Sequence, residues 1–143
     1  MPIRYSISPE LNIVFLFGEG RMTDVEYVHA AQAVLKDSAY KQGMIRIADL
    51  FSASEDFELR NIFSAIEYVE DNVKKGIAPD HTVLLSRSTG IHQIVQALKL
   101  LSTKVPLKLD VFDTLEDAIA SLGLSEVRQA VIDYYNQTKF EGK

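Results

Sequence analysis

The sequence predicts an α/β protein, a mixed and mostly parallel five-stranded sheet that starts with an N-terminal hairpin and carries helices on its faces. Three observations predict it. Two short apolar runs, Ile3 to Ile7 and Ile13 to Phe17, are separated by the turn-rich SPELN and by no helical stretch. From Thr23 onward, stretches with apolar residues at three- and four-residue spacing alternate with strand-like runs. The strongest of these units, Met44 to Gly76, reads as a strand (MIRIADL), a polar loop (SASED) and a long amphipathic helix. Strands joined through helices pair in parallel by right-handed crossovers, so only the first two are expected to be antiparallel.

In order, Ile3, Tyr5 and Ile7 share one face of a half-buried strand, with Arg4 and Ser6 on the other. Ile13 to Phe17 is apolar on both faces, as a strand covered on both sides would be. Thr23 with Glu26 forms a capping box, and Val25, Val28, Ala31 and Leu35 follow at helical spacing, which predicts a helix from Thr23 to Asp37. After KQG comes the Met44 strand, in which Ile45 and Ile47 share a face with Asp49 near the carboxyl end.

The next helix carries the stripe Leu59, Ile62, Phe63, Ile66, Val69 and Val73 and closes at Gly76. His81 to Ser86 reads as a strand, and Ile91, Ile94, Val95, Leu98 and Leu101 as the core stripe of another helix. Pro106 breaks the chain before a last strand, Leu107 to Phe112. Thr114 opens a short helix with Leu115, Ala118, Ile119 and Leu122 inward and Gly123 at its end. Ser125 is placed to cap a final helix carrying Val127, Val131 and Tyr134, with KFEGK fraying. Residues 1–124 form the α/β domain on this division, and 125–143 add the terminal helix and tail, which packs on its own sheet or across a dimer.

Composition narrows the function. A chain of 143 residues supports one core, and 47% hydrophobic with 24% charged residues is the balance of a folded globular protein. A formal net charge of −5 without a basic cluster argues against nucleic acid and against anionic membrane surfaces. With no Cys there is no thiolate chemistry or Cys metal site. MPIRYSISPE has no apolar signal core, and the longest apolar run is far too short to span a bilayer, so no integral membrane segment and a cytoplasmic location are expected. His29, His81 and His92 are not at metal-ligand spacing, and no cofactor is expected.

GEGRMTDVEY after the second strand, RIADLFS at the third and LDVFDTLEDAIASLGL near the end are the residues of a family resemblance. Over roughly residues 3 to 124 the order of elements resembles the STAS-like (SpoIIAA-like) family, the fold of the anti-sigma-factor antagonist of stage II sporulation and of sulfate-transporter cytoplasmic domains. The resemblance implies that fold, and a regulatory or protein-interaction role. Phosphorylated antagonists of the group open the helix after the third strand with Asp-Ser-Ser-Gly or a similar motif. Here Ser52-Ala53-Ser54-Glu55-Asp56 stands there instead, and its acidic pair would repel an added phosphate, which argues against that switch.

Open α/β sheets bind ligands where strands end and helices begin. Ser52 to Asp56 is the first such loop; Ser54 as an N-cap with Glu55 and Asp56 in the first turn explains it without a ligand. The second loop, Ser86 to Gly90, offers Arg87, Ser88, Thr89 and Gly90 for a phosphate or carboxylate, although capping by Ser88 or Thr89 explains the hydroxyls equally. Asp49 is a further candidate, and a salt bridge to Arg87 would account for it too. Phe51, Phe57 and Phe63 gather near the first loop as core or, if exposed, as a partner or lipid surface.

With no nucleophile, base and orienter set, the expectation is a non-enzymatic regulatory or interaction module that binds a protein partner or itself. The alternative is a carrier or sensor of a small anionic or amphipathic, lipid-like ligand.

Overall fold

In the computed structural model, β1 (Ile3–Ser8) and β2 (Ile13–Gly20) form the expected antiparallel hairpin, in register from Ile3 with Gly18 to Ser8 with Ile13. Its turn is closed by Asn12, whose φ of 60° lies in the left-handed region that Asn tolerates better than most side chains. The structure describes residues 3–20, 24–53, 67, 70–76, 81–101 and 109–141. The remaining elements are α1 (Asp24–Lys36), β3 (Ile45–Ala53), β4 (Thr82–Leu85), α2 (Thr89–Leu101), β5 (Leu109–Phe112), α3 (Leu115–Ser121), a 3-10 turn (Ser125–Val127) and α4 (Arg128–Glu141). The five strands lie in the order β1-β2-β3-β4-β5, and each pair after the hairpin is parallel.

This order decides how the sheet is covered. Right-handed crossovers that always step in one direction place their helices on one face. Ala30 and Val34 of α1 and Ile91 of α2 accordingly share a core cluster with Val14, Leu16, Met44, Ala48 and Leu50. The opposite face must be covered by whatever follows β5. There Leu115, Ala118 and Ile119 of α3 and Val131 and Tyr135 of α4 pack on Phe15, Phe17, Ile47, Val83 and Leu85.

Several local expectations are corrected. The buried stripe of α1 is Ala30, Ala31 and Val34, whereas Leu35 is only half-buried. Arg4 and Ser6 do not face water; α4 lies over them and both bond to it. Ser125 sits inside the 3-10 turn and no side chain caps that turn, so the last helix starts later, at Arg128. Val127 is 40% exposed, and the buried positions are Val131 and Tyr135, one helical turn apart. Lys139 to Glu141 do not fray but complete α4, because Lys139 is held by a buried carboxylate. Val131 is fully buried in the chain's own core, so it is not part of a free dimer face.

Residues 70–74 are helical and Gly76 follows with φ 84°, the left-handed cap that a helix end favours. Val73, expected inward, is 40% exposed in that last turn. Of the expected stripe, Leu59, Ile62, Phe63, Ile66 and Val69 lie outside the described residues, as do Phe57, Thr23 and Pro106. No described helix is long and apolar enough to cross a membrane.

Candidate functional site

β3 continues four residues beyond Asp49, through Ala53, after a shift in its pairing with β2 between Phe17 and Glu19. Asp49 is therefore inside a strand, not at its end, and Ser52 is an exposed strand residue opposite Glu19 rather than part of a loop. The sequence misleads here because FSA resembles a strand exit, while pairing with β2 extends the strand regardless. Ser54 lies outside the described residues.

Alternation puts Asp49 on the face covered by α4, at 3% exposure. A carboxylate so placed needs partners, and among the described residues it has three. Its Oδ1 accepts the Phe51 backbone N–H at 3.0 Å. Its Oδ2 accepts the Tyr135 hydroxyl at 2.6 Å and pairs with Lys139 Nζ at 2.8 Å. Lys139 also donates to the Tyr135 oxygen at 3.0 Å. The expected Asp49–Arg87 salt bridge is not made; the last helix supplies a nearer cation.

These contacts set the ionisation of the cluster. Burial first, and then the bond to Asp49, push the Tyr135 phenol up to about 12. Burial pulls the Lys139 ammonium down, but its bonds to Asp49 and Tyr135 outweigh that and leave it above its ordinary value. Both groups hold their protons at neutral pH.

The same helix is tied along β1. Arg4 donates to the carbonyls of Thr138 and Lys139 at 2.9 and 2.7 Å and lies 4.5 Å from the Phe17 ring centroid. A guanidinium on the last carbonyls of a helix satisfies acceptors that have no partner within it. Ser6 and Tyr134 share a short hydroxyl–hydroxyl bond.

The second loop, after β4, is built from caps. Ser88 Oγ accepts the Ile91 N–H at 3.2 Å as the N-cap of α2, and Ser86 Oγ accepts the Ser88 N–H at 3.0 Å. Thr89 is exposed and Gly90 lies within the first turn. A Cβ at Gly90 would meet Ser88 Oγ at 3.5 Å, an ordinary contact, so the position does not require glycine. Arg87 is exposed, with its guanidinium 4.4 Å from the Phe51 ring centroid. Among the described residues no carboxylate pairs with it.

Each histidine has a structural place. His92, expected on a polar surface, is half-buried: its Nε2 faces the Ser86 carbonyl at 2.9 Å and Asp113 at 3.0 Å, two acceptors that require a proton on that nitrogen. It ties α2 to the ends of β4 and β5. His81 pairs with Asp110 at 3.0 Å, and that bond, ahead of the one from Lys99, holds the Asp110 carboxyl below its usual range. His29 is exposed.

The structure thus brings Asp49, Phe51 and Arg87 to one carboxyl edge and adds Tyr135 and Lys139, which sequence reasoning missed. Their signal was the spacing Val131, Tyr135, Lys139, a single helix face whose last member is a cation.

No family model matches the sequence, and no curated protein does. Among solved structures the chain is similar to an uncharacterized protein of the DUF3478 family with a SpoIIAA-like fold from Shewanella loihica PV-4. The two are 11% identical and superpose with a TM-score of 0.54 over 84% of this chain and 91% of the other. At that identity the likeness is one of fold.

Proposed function

The chain has a SpoIIAA-like α/β fold, and on that basis we propose that it is a non-enzymatic interaction module of regulatory type, acting in the cytoplasm, whose recognition surface is the carboxyl edge around Phe51 and Arg87. One observation carries this reading: among the described residues, the buried polar groups at that edge, Asp49, Tyr135 and Lys139, are engaged with one another, whereas Arg87 is exposed on the Phe51 ring. A general base needs a free lone pair near the substrate and a proton affinity suited to neutral pH. Asp49 has both oxygens engaged, Tyr135 is pushed away from neutrality, and the hydroxyls of Ser86 and Ser88 close backbone turns. Arg87 has a different character. An exposed guanidinium held against an aromatic ring is suited to a carboxylate on a protein partner or a second copy.

The same exposed guanidinium also supports a second reading, a carrier or sensor of a small anionic or amphipathic ligand at the start of α2.

Native mass spectrometry of the protein purified from its own cells, beside an Arg87→Ala variant, separates these. A protein partner or second copy that is retained by the natural chain and lost from the variant supports the module. A small adduct lost from the variant supports the carrier, and a bare monomer in both overturns the Arg87 surface.

A further inference from the structure

We propose that Asp49, Tyr135 and Phe51 form a binding site for a primary ammonium group, which Lys139 occupies in cis. The site shares Phe51 with the Arg87 surface but does not involve Arg87 itself. Asp49 lies on an apolar sheet face between Ile47 and Phe51, where an ionised carboxylate is retained only with a compensating cation. Its surroundings specify which kind. Oδ1 already accepts the Phe51 N–H and Oδ2 the Tyr135 hydroxyl, so a guanidinium fork would have to share both oxygens with donors already in place. Oδ2 is left for a single donor nitrogen beside the Tyr135 hydroxyl.

The hydroxyl proton points to Asp49, so the phenol oxygen is an acceptor for whatever sits next to it. One ammonium nitrogen can donate to both oxygens at once, as Lys139 Nζ does at 2.8 and 3.0 Å. A quaternary ammonium has no proton to give. The walls fit as well: the Phe51 and Tyr135 ring centroids lie 5.6 and 5.3 Å from Nζ, within the range of cation–π attraction.

The occupant reaches this site from the last turn of α4, and its side chain keeps 24% of its surface in solvent whereas that of Asp49 keeps 4%, so Lys139 itself covers the carboxylate. A guest ammonium and Lys139 compete for one carboxylate, and a guest that wins releases the end of α4. Its chemical class is a primary ammonium on an alkyl stem, as in a polyamine or the lysine of a partner.

Lys139→Ala empties the site, and propylammonium supplies the three carbons and the ammonium that the substitution removes. Titrating propylammonium chloride into that variant should raise its thermal unfolding midpoint saturably and recover most of the temperature lost. The natural chain, the Asp49→Asn/Lys139→Ala double variant, and tetramethylammonium in place of propylammonium should show no such rise. If Lys139→Ala is unfolded at rest, the same titration reads recovery of helical ellipticity. Spermidine and N-acetyl-lysine amide, titrated in turn, tell a polyamine from a protein lysine by which saturates at the lower concentration. A response to propylammonium no larger than to sodium chloride at equal ionic strength, or one that survives Asp49→Asn, would overturn the proposal.

Discussion

The two faces of the sheet are covered by different means. Under α1 and α2 the buried contacts are apolar, with Val14, Leu16, Ala48 and Leu50 meeting Ala30, Val34 and Ile91, and the polar ties of α2 through His92 and Lys99 lie at its margins. Under α4 the helix has only two fully buried side chains, Val131 and Tyr135, with Ile132 and Tyr134 partly buried beside them, and much of its attachment is directional. Asp49 holds Tyr135 and Lys139, Arg4 holds two carbonyls of the last turn, and Ser6 meets Tyr134. Apolar area is proportional and non-directional, so it fixes that a helix docks more firmly than where along its axis it docks. A buried ion pair with hydrogen bonds to both partners fixes position, at a desolvation cost that makes each partner intolerant of losing the other.

The contrast can be sharpened by substitution on each face. Lys139→Met keeps the stem and leaves Asp49 without its cation, and should cost about 3 kcal/mol, the lower end for a broken buried pair because Lys139 retains some contact with water. Urea unfolding followed by circular dichroism reads it.

A shift to alkaline pH tests the same cluster without mutation. The folded phenol of Tyr135 titrates near 12 against an ordinary 10.0, so its contribution is complete below pH 10 and disappears as pH rises from there through 12. Lys139, also raised, acts in the same sense. Stability should fall over that window, and Tyr135→Phe should flatten the fall. A slope that is unchanged by Tyr135→Phe would place the titration elsewhere, for example at Tyr5, which its bond to Asp37 raises too.

Ile91→Val on the other face should cost only about 1 kcal/mol, the loss of one methyl group from an apolar contact, with no dependence on alkaline pH. A larger loss than that of Lys139→Met would reverse the comparison.

What could be read in advance follows from the same difference. Periodicity placed the hairpin, the helices α1 and α2 and the face that Asp49 shares with Ile45 and Ile47 on β3, because apolar burial repeats every second residue on a strand and every third or fourth on a helix. It placed Asp49 on a covered face but could not name its partner, which is 86 residues away in sequence. Arg4 and Ser6 read as solvent positions, and KFEGK as a loose end, because polar residues carry no period that distinguishes a solvated side chain from a paired one. The length of β3 was missed for a related reason: Ser52 is held in the strand by pairing with Glu19, a contact its own type does not advertise. Thr114, by contrast, was legible as a cap and accepts the Asp117 N–H as such, since that bond lies within four residues of chain.

The most direct test of this account is a double-mutant cycle across Asp49 and Lys139, with Asp49→Asn, Lys139→Met and both together compared by urea unfolding. A polar anchor for α4 predicts strong non-additivity, with the double variant losing less than the sum of the singles by at least about 1 kcal/mol. Additive losses would mean that the two side chains act independently and that the last helix is held, like the helices on the opposite face, by apolar contact.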